Sequence, residues 1–156
     1  MGTDMADQCM HFFIVRGSAN LVESAIETLR NSYEYENIKC VLIDKDFGEI
    51  NALQKYYPCA KINLCLFHVS RAVKRACARF SLSTQQKQAV HDTFMCQVAA
   101  SSKEKYDEIK EQIADALSPE DLRYFADCWW KCPEMWATYL NHDICNLGIK
   151  TTNHKG

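Results

Sequence analysis

An α/β fold, a mostly parallel sheet covered by helices and continued by an all-helical segment, is predicted by three features of the sequence. Short apolar runs of strand character alternate with amphipathic runs in the order β-α-β-α-β-α, with short connections, as parallel strands joined by crossover helices require. The central run, IKCVLI at 38–43, is apolar on both faces, which suits a strand covered above and below. After Ser81 the hydrophobic period becomes helical throughout.

The elements follow in chain order. HFFIV at 11–15 is short, apolar and β-branched toward its end, and reads as the first strand. Asn20 to Tyr33 reads as a helix, with Leu21, Val22, Ala25, Ile26 and Leu29 in one stripe and Ser18 or Asn20 as cap. The central strand is followed by a helix from Phe47 to Tyr57, which turns Phe47, Ile50, Leu53 and Tyr56 or Tyr57 inward and stops at Pro58. Lys61–Leu66 is the next strand and Phe67–Phe80 the next helix. Helical periodicity then covers Thr84–Ala100, Ser102–Leu117, Pro119–Lys131 and Met135–Cys145. Ser118-Pro119-Glu120-Asp121 is a helix start: a cap, proline at the first helical position, then acids in the first turn. Leu147-Gly148 is a helix stop.

A chain of 156 residues, 47% hydrophobic and 24% charged, has the size and composition of one globular domain. No apolar run approaches the roughly 20 residues of a membrane span. MGTDMADQCM has neither the layout of a signal peptide nor, with Ala6, the Ser or Thr of a myristoylation start. The nine cysteines are spread through apolar segments, a distribution that fits reduced thiols of a nuclear or cytosolic protein better than a secreted disulfide framework.

The net charge of −2 conceals a strong asymmetry. Ile50 to His91 contains no acidic residue and seven basic ones: Lys55, Lys61, Arg71, Lys74, Arg75, Arg79 and Lys87. The remaining 11 basic and 20 acidic residues sum to −9. A basic segment of this kind fits a phosphate-bearing partner, and it also fits a plain solvated surface.

Two aspartates close the central strand. In open α/β sheets functional groups collect at the carboxyl ends of strands, and Asp44 stands at that point. Asp46 begins Asp46-Phe47-Gly48-Glu49, an acidic capping box, and is assigned to capping the helix. Asp44 has no such local duty; it is either a solvated turn residue or a metal-holding carboxylate. Phosphodiester chemistry needs two or three converging carboxylates to hold two magnesium ions ~3.5–4 Å apart, so partners for Asp44 would have to come from elsewhere.

The ordered pattern from Val41 to Arg75 resembles the core of Mutator-like (MULE) transposases, and more closely that of their domesticated relatives, the zinc finger SWIM domain-containing proteins. The matching features are the apolar strand ending in Asp44, a helix, Tyr57-Pro58-Cys59-Ala60, a strand, and Cys65-Leu66-Phe67-His68 opening a basic helix. CWWKCPEMWATYL at 128–140 and Thr151-Thr152-Asn153 are similar to the Trp-rich helical insertion and the Thr-Asn motif of the same family. The resemblance implies a ribonuclease H-like mixed sheet flanked by helices, with residues 8–80 as the α/β core, 81–147 as a helical insertion and 148–156 as the start of the terminal motif. It also implies a catalytic Asp-Asp-Glu trio, of which only the second carboxylate carries over, onto Asp44. Asp4 and Asp7 lack the strand context of the first, and Gly156 stands where the glutamate would fall. The family's motif residues Cys65, His68, Thr152 and Asn153 are present. The resemblance therefore implies a truncated or degenerate domain that is nuclear, with magnesium as cofactor only if the missing acids are supplied.

Cys65 and His68, spaced to face one direction at a helix start, leave three readings open. They support the cleft or touch DNA, as in the family; they form half of a zinc site with His142 and Cys145; or they are a buried thiol and a hydrogen-bonded histidine. Zinc is the least favoured, because pairs 73 residues apart are a poor signature. Arg71, Lys74, Arg75 and Arg79 form one polar stripe opposite Ala72, Val73, Ala76 and Phe80. That stripe is a candidate phosphate-tracking surface, set against an ordinary solvated helix face. Trp129, Trp130 and Trp136 lie at helical spacing beside Met135 and Tyr139 and are assigned to the core rather than to base stacking.

The function expected from these features is that of a transposase-derived module, catalytically incomplete as it stands, associated with nucleic acid or acting as a scaffold. The alternatives are an active transposase or nuclease whose other carboxylates lie outside this chain, and a protein-interaction module that does not bind DNA. DNA is the expected partner; a membrane is not, and protein partners are not specified.

Overall fold

The run Cys40–Ile43 forms a strand, β2, in the computed structural model of the chain, which describes residues 9–11, 19–32, 40–43 and 47–141. Its side chains are buried at Cys40, Val41 and Ile43 and half-buried at Leu42, as a strand with no polar face demands. The chain divides into two compact units, residues 1–63 with 143–156 and residues 64–142.

In the first unit β1 (Cys9–His11) pairs in parallel with β2, Cys9 opposite Cys40, Met10 opposite Val41 and His11 opposite Leu42. β3 (Lys61–Leu64), whose last residue begins the second unit, completes a three-stranded sheet in the order β1-β2-β3. The described part of the first strand is Cys9–His11, which shares His11 with the expected 11–15; Phe12–Val15 fall outside the described residues. Along β3 Ile62 and Leu64 are buried while Lys61 and Asn63 are half-buried, the period-2 alternation of a strand.

Two helices connect the strands, α1 (Ala19–Ser32) and α2 (Phe47–Tyr56). Ile26 of α1 and Ile50 and Leu53 of α2 are buried, and so is Tyr57 just beyond α2. The helices are bridged at their surface by Glu23, whose Oε1 accepts from Lys55 Nζ at 2.6 Å and from Tyr56 Oη at 3.1 Å. Pro58 follows in the turn after α2.

The second unit contains four helices: α3 (Leu66–Cys77), α4 (Thr84–Ala99), α5 (Lys103–Ala116) and α6 (Pro119–Cys128). Serines cap three of them. Ser83 and Gln86 form a reciprocal capping box at α4, Ser102 Oγ accepts from Lys105 N, and Ser118 Oγ accepts from Asp121 N with Pro119 in the first turn. The start expected at 118–121 is therefore formed as the sequence implies. α6 ends at Cys128, three residues short of Lys131, and Trp129–Lys131 turn instead.

An aromatic cluster holds this unit together. Phe94 of α4 is fully buried, with ring centroids 5.3 Å from Phe125, 5.5 Å from Trp129 and 5.1 Å from Trp136. Tyr106 of α5 lies 5.7 Å from Trp136, and Phe80 lies 6.2 Å from Phe125. Each such ring contributes roughly 1.5–3 kcal/mol by its burial, and tilted or edge-on contacts add to this. Trp129 and Trp136 are thus core residues, and Trp130 is half-buried.

The segment expected to form a helix from Met135 to Cys145 does not form one over its described part. Pro133–Met135 and Thr138–Leu140 are two single 3-10 turns separated by an extended Ala137. Met135, Trp136 and Ala137 are buried in succession, and three consecutive buried residues cannot share one stripe of an α-helix. Trp136 Nε1 donates instead to the carbonyl of Trp129 at 3.0 Å, which folds the segment back on the end of α6.

Candidate nucleic-acid interface

α3 carries the described candidate residues, and its two faces differ sharply. Val69, Val73, Ala76 and Cys77 are buried and, with Phe80 beyond the helix, form the stripe that packs into the unit. Arg71, Lys74 and Arg75 on the opposite face are exposed, and so is Arg79 in the turn that follows. The amphipathic reading of this helix therefore holds, with one adjustment: Ala72 is half-buried at the margin of the apolar stripe.

Among the described residues none of the four cations is paired with a carboxylate. Elsewhere in the chain lysines are neutralised: Lys103 by Asp107, Lys105 by Glu108 at 3.1 Å, Lys131 by Asp127 at 3.2 Å and Lys55 by Glu23. The contrast follows from composition, because the acid-free span Ile50–His91 offers α3 no anion at i±3 or i±4. Lys87 adds a further positive charge where α3 ends, its Nζ donating to the carbonyl of Ala78 at 2.8 Å. Lys74 and Arg75 in the last turn also face the negative end of the helix dipole.

The basic face is held from behind by polar contacts between helices. Ser70 Oγ lies 2.9 Å from His91 Nε2, and His91 Nδ1 lies 3.1 Å from Asp92 Oδ1, which also accepts from Gln88 Nε2 at 2.8 Å. This connectivity is that of a nucleophile, base and acid. Ser70, however, sits in the middle of α3, where the surrounding N–H groups are engaged in the helix ladder and cannot hold an oxyanion. The arrangement is a clamp between α3 and α4. Tyr124 Oη reaches the carbonyl of Ala72 at 3.4 Å and adds a contact from α6.

Cys65 is the N-cap residue of α3, extended and without a side-chain capping bond, and its thiol is half-exposed. His68 is half-buried one turn on, its ring edge-on to Phe67 at 5.6 Å. Cys59, Cys65, Cys77, Cys96, Cys128, Cys132 and Cys40 are all thiols. No group of three or more His, Cys, Asp or Glu side chains converges among the described residues. Asp44, Asp46, His142, Cys145, Thr152 and Asn153 lie outside the described residues. An open cleft of about 380 Å³ between α4 and α5, lined by Leu82, Val90, Thr93, Gln112 and Asp115 among others, involves none of the candidate residues.

One residue on the basic face escapes a reading based on charge alone. Phe67 is 60% exposed, and the guanidinium carbon of Arg71 lies over its ring, 5.5 Å from the centroid. Its spacing is the available signal: Phe67, Arg71, Lys74 and Ala78 follow at intervals of 4, 3 and 4, which places an aromatic ring on the polar stripe rather than the buried one.

Residues 2–63 match the family model of the RNaseH-like domain of zinc finger SWIM domain-containing protein 1/3. The N-terminal part of the chain thus carries an RNaseH-like domain of this MULE transposase-associated group, in accord with the resemblance read from its motifs. No solved structure matches the chain. None of the described helices is long and apolar enough to cross a membrane.

Proposed function

We propose that this transposase-derived RNaseH-like chain works as a nucleic-acid-associated module in the nucleus, with α3 as the surface that tracks DNA phosphates. The observation that carries the reading is the row of unpaired cations: Arg71, Lys74, Arg75 and Arg79 are exposed and lack carboxylate partners among the described residues. Exposed charges of one sign on a helix about 18 Å long give affinity that is independent of sequence and sensitive to salt. The RNaseH-like match at residues 2–63 supports a nucleic-acid context for that surface. Cys65 and His68 position the start of the helix in this reading. Asp44 takes part in magnesium chemistry only where further acids are supplied from outside this chain, and Thr152 and Asn153 are the matching terminal motif.

The test is the salt dependence of binding to a random-sequence DNA duplex. Neutralising Arg71, Lys74, Arg75 and Arg79 to glutamine is expected to weaken association and to flatten the slope of log K against log salt by roughly 0.9 per lost phosphate contact. An isotherm and slope equal to those of the unaltered chain would overturn the proposal. Exposed substitutions of this kind leave stability within about ±0.5 kcal/mol, so folding does not confound the comparison.

A further inference from the structure

The geometry points to Phe67, braced by Arg71, as a stacking platform for an unpaired nucleobase, so that the basic face of α3 takes single-stranded or locally opened nucleic acid. This rests on the phosphate-tracking reading of α3 and specifies its ligand.

The exposure of Phe67 needs a physical reason. Its helix neighbours Val69 and Val73 are 1% and 0% exposed, so α3 buries apolar side chains efficiently where it packs. Phe67 is one of two large hydrophobic residues left open among the described residues, the other being Leu140. It stands in the row Phe67, Arg71, Lys74 along one side of the helix, flanked by Arg75, in a span without acids. An apolar protein partner would leave those cations facing its surface without counter-charges. A nucleic-acid strand satisfies both features: the phosphates meet Arg71, Lys74 and Arg75, and a base meets the ring.

The ring is also held for that purpose. The Arg71 guanidinium lies against it at 5.5 Å and the His68 imidazole meets it edge-on at 5.6 Å, so its position is set by two neighbours on its own helix. A cation over an aromatic ring, continued by a row of cations, is the arrangement that lets a strand stack one base and lay its backbone along the helix. In a closed duplex the bases are stacked on one another and no face is available, so the contribution of Phe67 arises only where a base is unpaired.

The experiment compares oligothymidylate, an abasic deoxyribose-phosphate strand of the same length and a duplex, each titrated calorimetrically into the full chain and into Phe67→Ala, Phe67→Tyr and Phe67→Leu. Stacking of one base predicts that Phe67→Ala binds oligothymidylate roughly 5- to 150-fold more weakly, and that Phe67→Tyr stays near the unaltered chain. Binding of the abasic strand and the duplex is expected to be unchanged in every variant, with unchanged salt slopes. Equal loss on the abasic strand, full retention by Phe67→Leu or undiminished oligothymidylate binding by Phe67→Ala would each overturn the inference. In those cases intact duplex binding leaves the phosphate-tracking reading standing, whereas failure of the unaltered chain to bind any of the three strands removes both. Circular dichroism of the variants confirms that an exposed ring has been altered without loss of fold.

Discussion

Trp130 Nε1–H donates to Gln97 Oε1 at 3.1 Å, and the same buried amide uses its Nε2 to donate to the carbonyl of Tyr106 at 3.2 Å. Gln97 is completely buried on α4, so one side chain joins α4, the first turn of α5 and the turn after α6. A buried amide is tolerated only when its donors and acceptors are engaged, and here both ends are. Replacing it by leucine removes both bonds and leaves the half-buried Trp130 Nε1–H without its acceptor, while the Tyr106 carbonyl, inside α5, keeps its helix bond. Gln97→Leu is therefore expected to destabilise the unit by about 1–3 kcal/mol. Urea denaturation followed by far-UV circular dichroism measures this; a midpoint equal to that of the unaltered chain would show that the amide is dispensable.

Two phenylalanines should respond in opposite ways. Phe94 is at the centre of the aromatic cluster and fully buried, whereas Phe67 is largely open. Phe94→Ala leaves a cavity among Phe125, Trp129 and Trp136 and is expected to cost about 3–5 kcal/mol. Phe67→Ala is expected to stay within about ±0.5 kcal/mol. The same denaturation experiment checks both, and a loss at Phe67 equal to that at Phe94 would contradict the open position of Phe67.

Burial pushes the Cys77 thiol up to about 11 from an ordinary value of 9.0. In the window between these values the unfolded chain has released the thiol proton while the folded unit retains it. The folded state then binds more protons, so stability falls as pH rises through this window and is unaffected by this thiol below it. Cys77→Ala should lose less stability than the unaltered chain between about pH 9 and about pH 11. At neutral pH the exposed Cys59 and Cys96 should be alkylated by iodoacetamide while Cys77 is spared until the unit unfolds. Peptide mass mapping reads the order of modification, and early loss of Cys77 would contradict its inert, packed environment.

Periodicity located the helices of the second unit well because their packing obeys the same stripes. Val69, Val73 and Ala76 on α3, and Tyr106, Ile109 and Ile113 on α5, are buried at intervals of 3 or 4. The Ser118 cap was legible for a local reason, since it needs only its own first turn. Met135–Leu140 was not legible as two 3-10 turns. Its aromatic spacing mimics a helix, and the deciding contact, Trp136 Nε1 to the Trp129 carbonyl, is tertiary. At the candidate site the cations could be read directly, because charge and spacing suffice to place them on one face. Phe67 was missed because an aromatic side chain is expected to turn inward, and only burial distinguishes it from Phe80. Asp44, Thr152 and Asn153 rest on motif alone, since they lie outside the described residues.

The tryptophans have a use beyond packing. Trp129, Trp130 and Trp136 are the only three in the sequence, and all belong to the unit spanning residues 64–142. Indole emission of the intact protein therefore comes from that unit alone. Tyrosine emission or a single tryptophan introduced beside α1 would be needed to follow the RNaseH-like segment, and discordant melting curves from the two probes would measure how independently the two halves unfold.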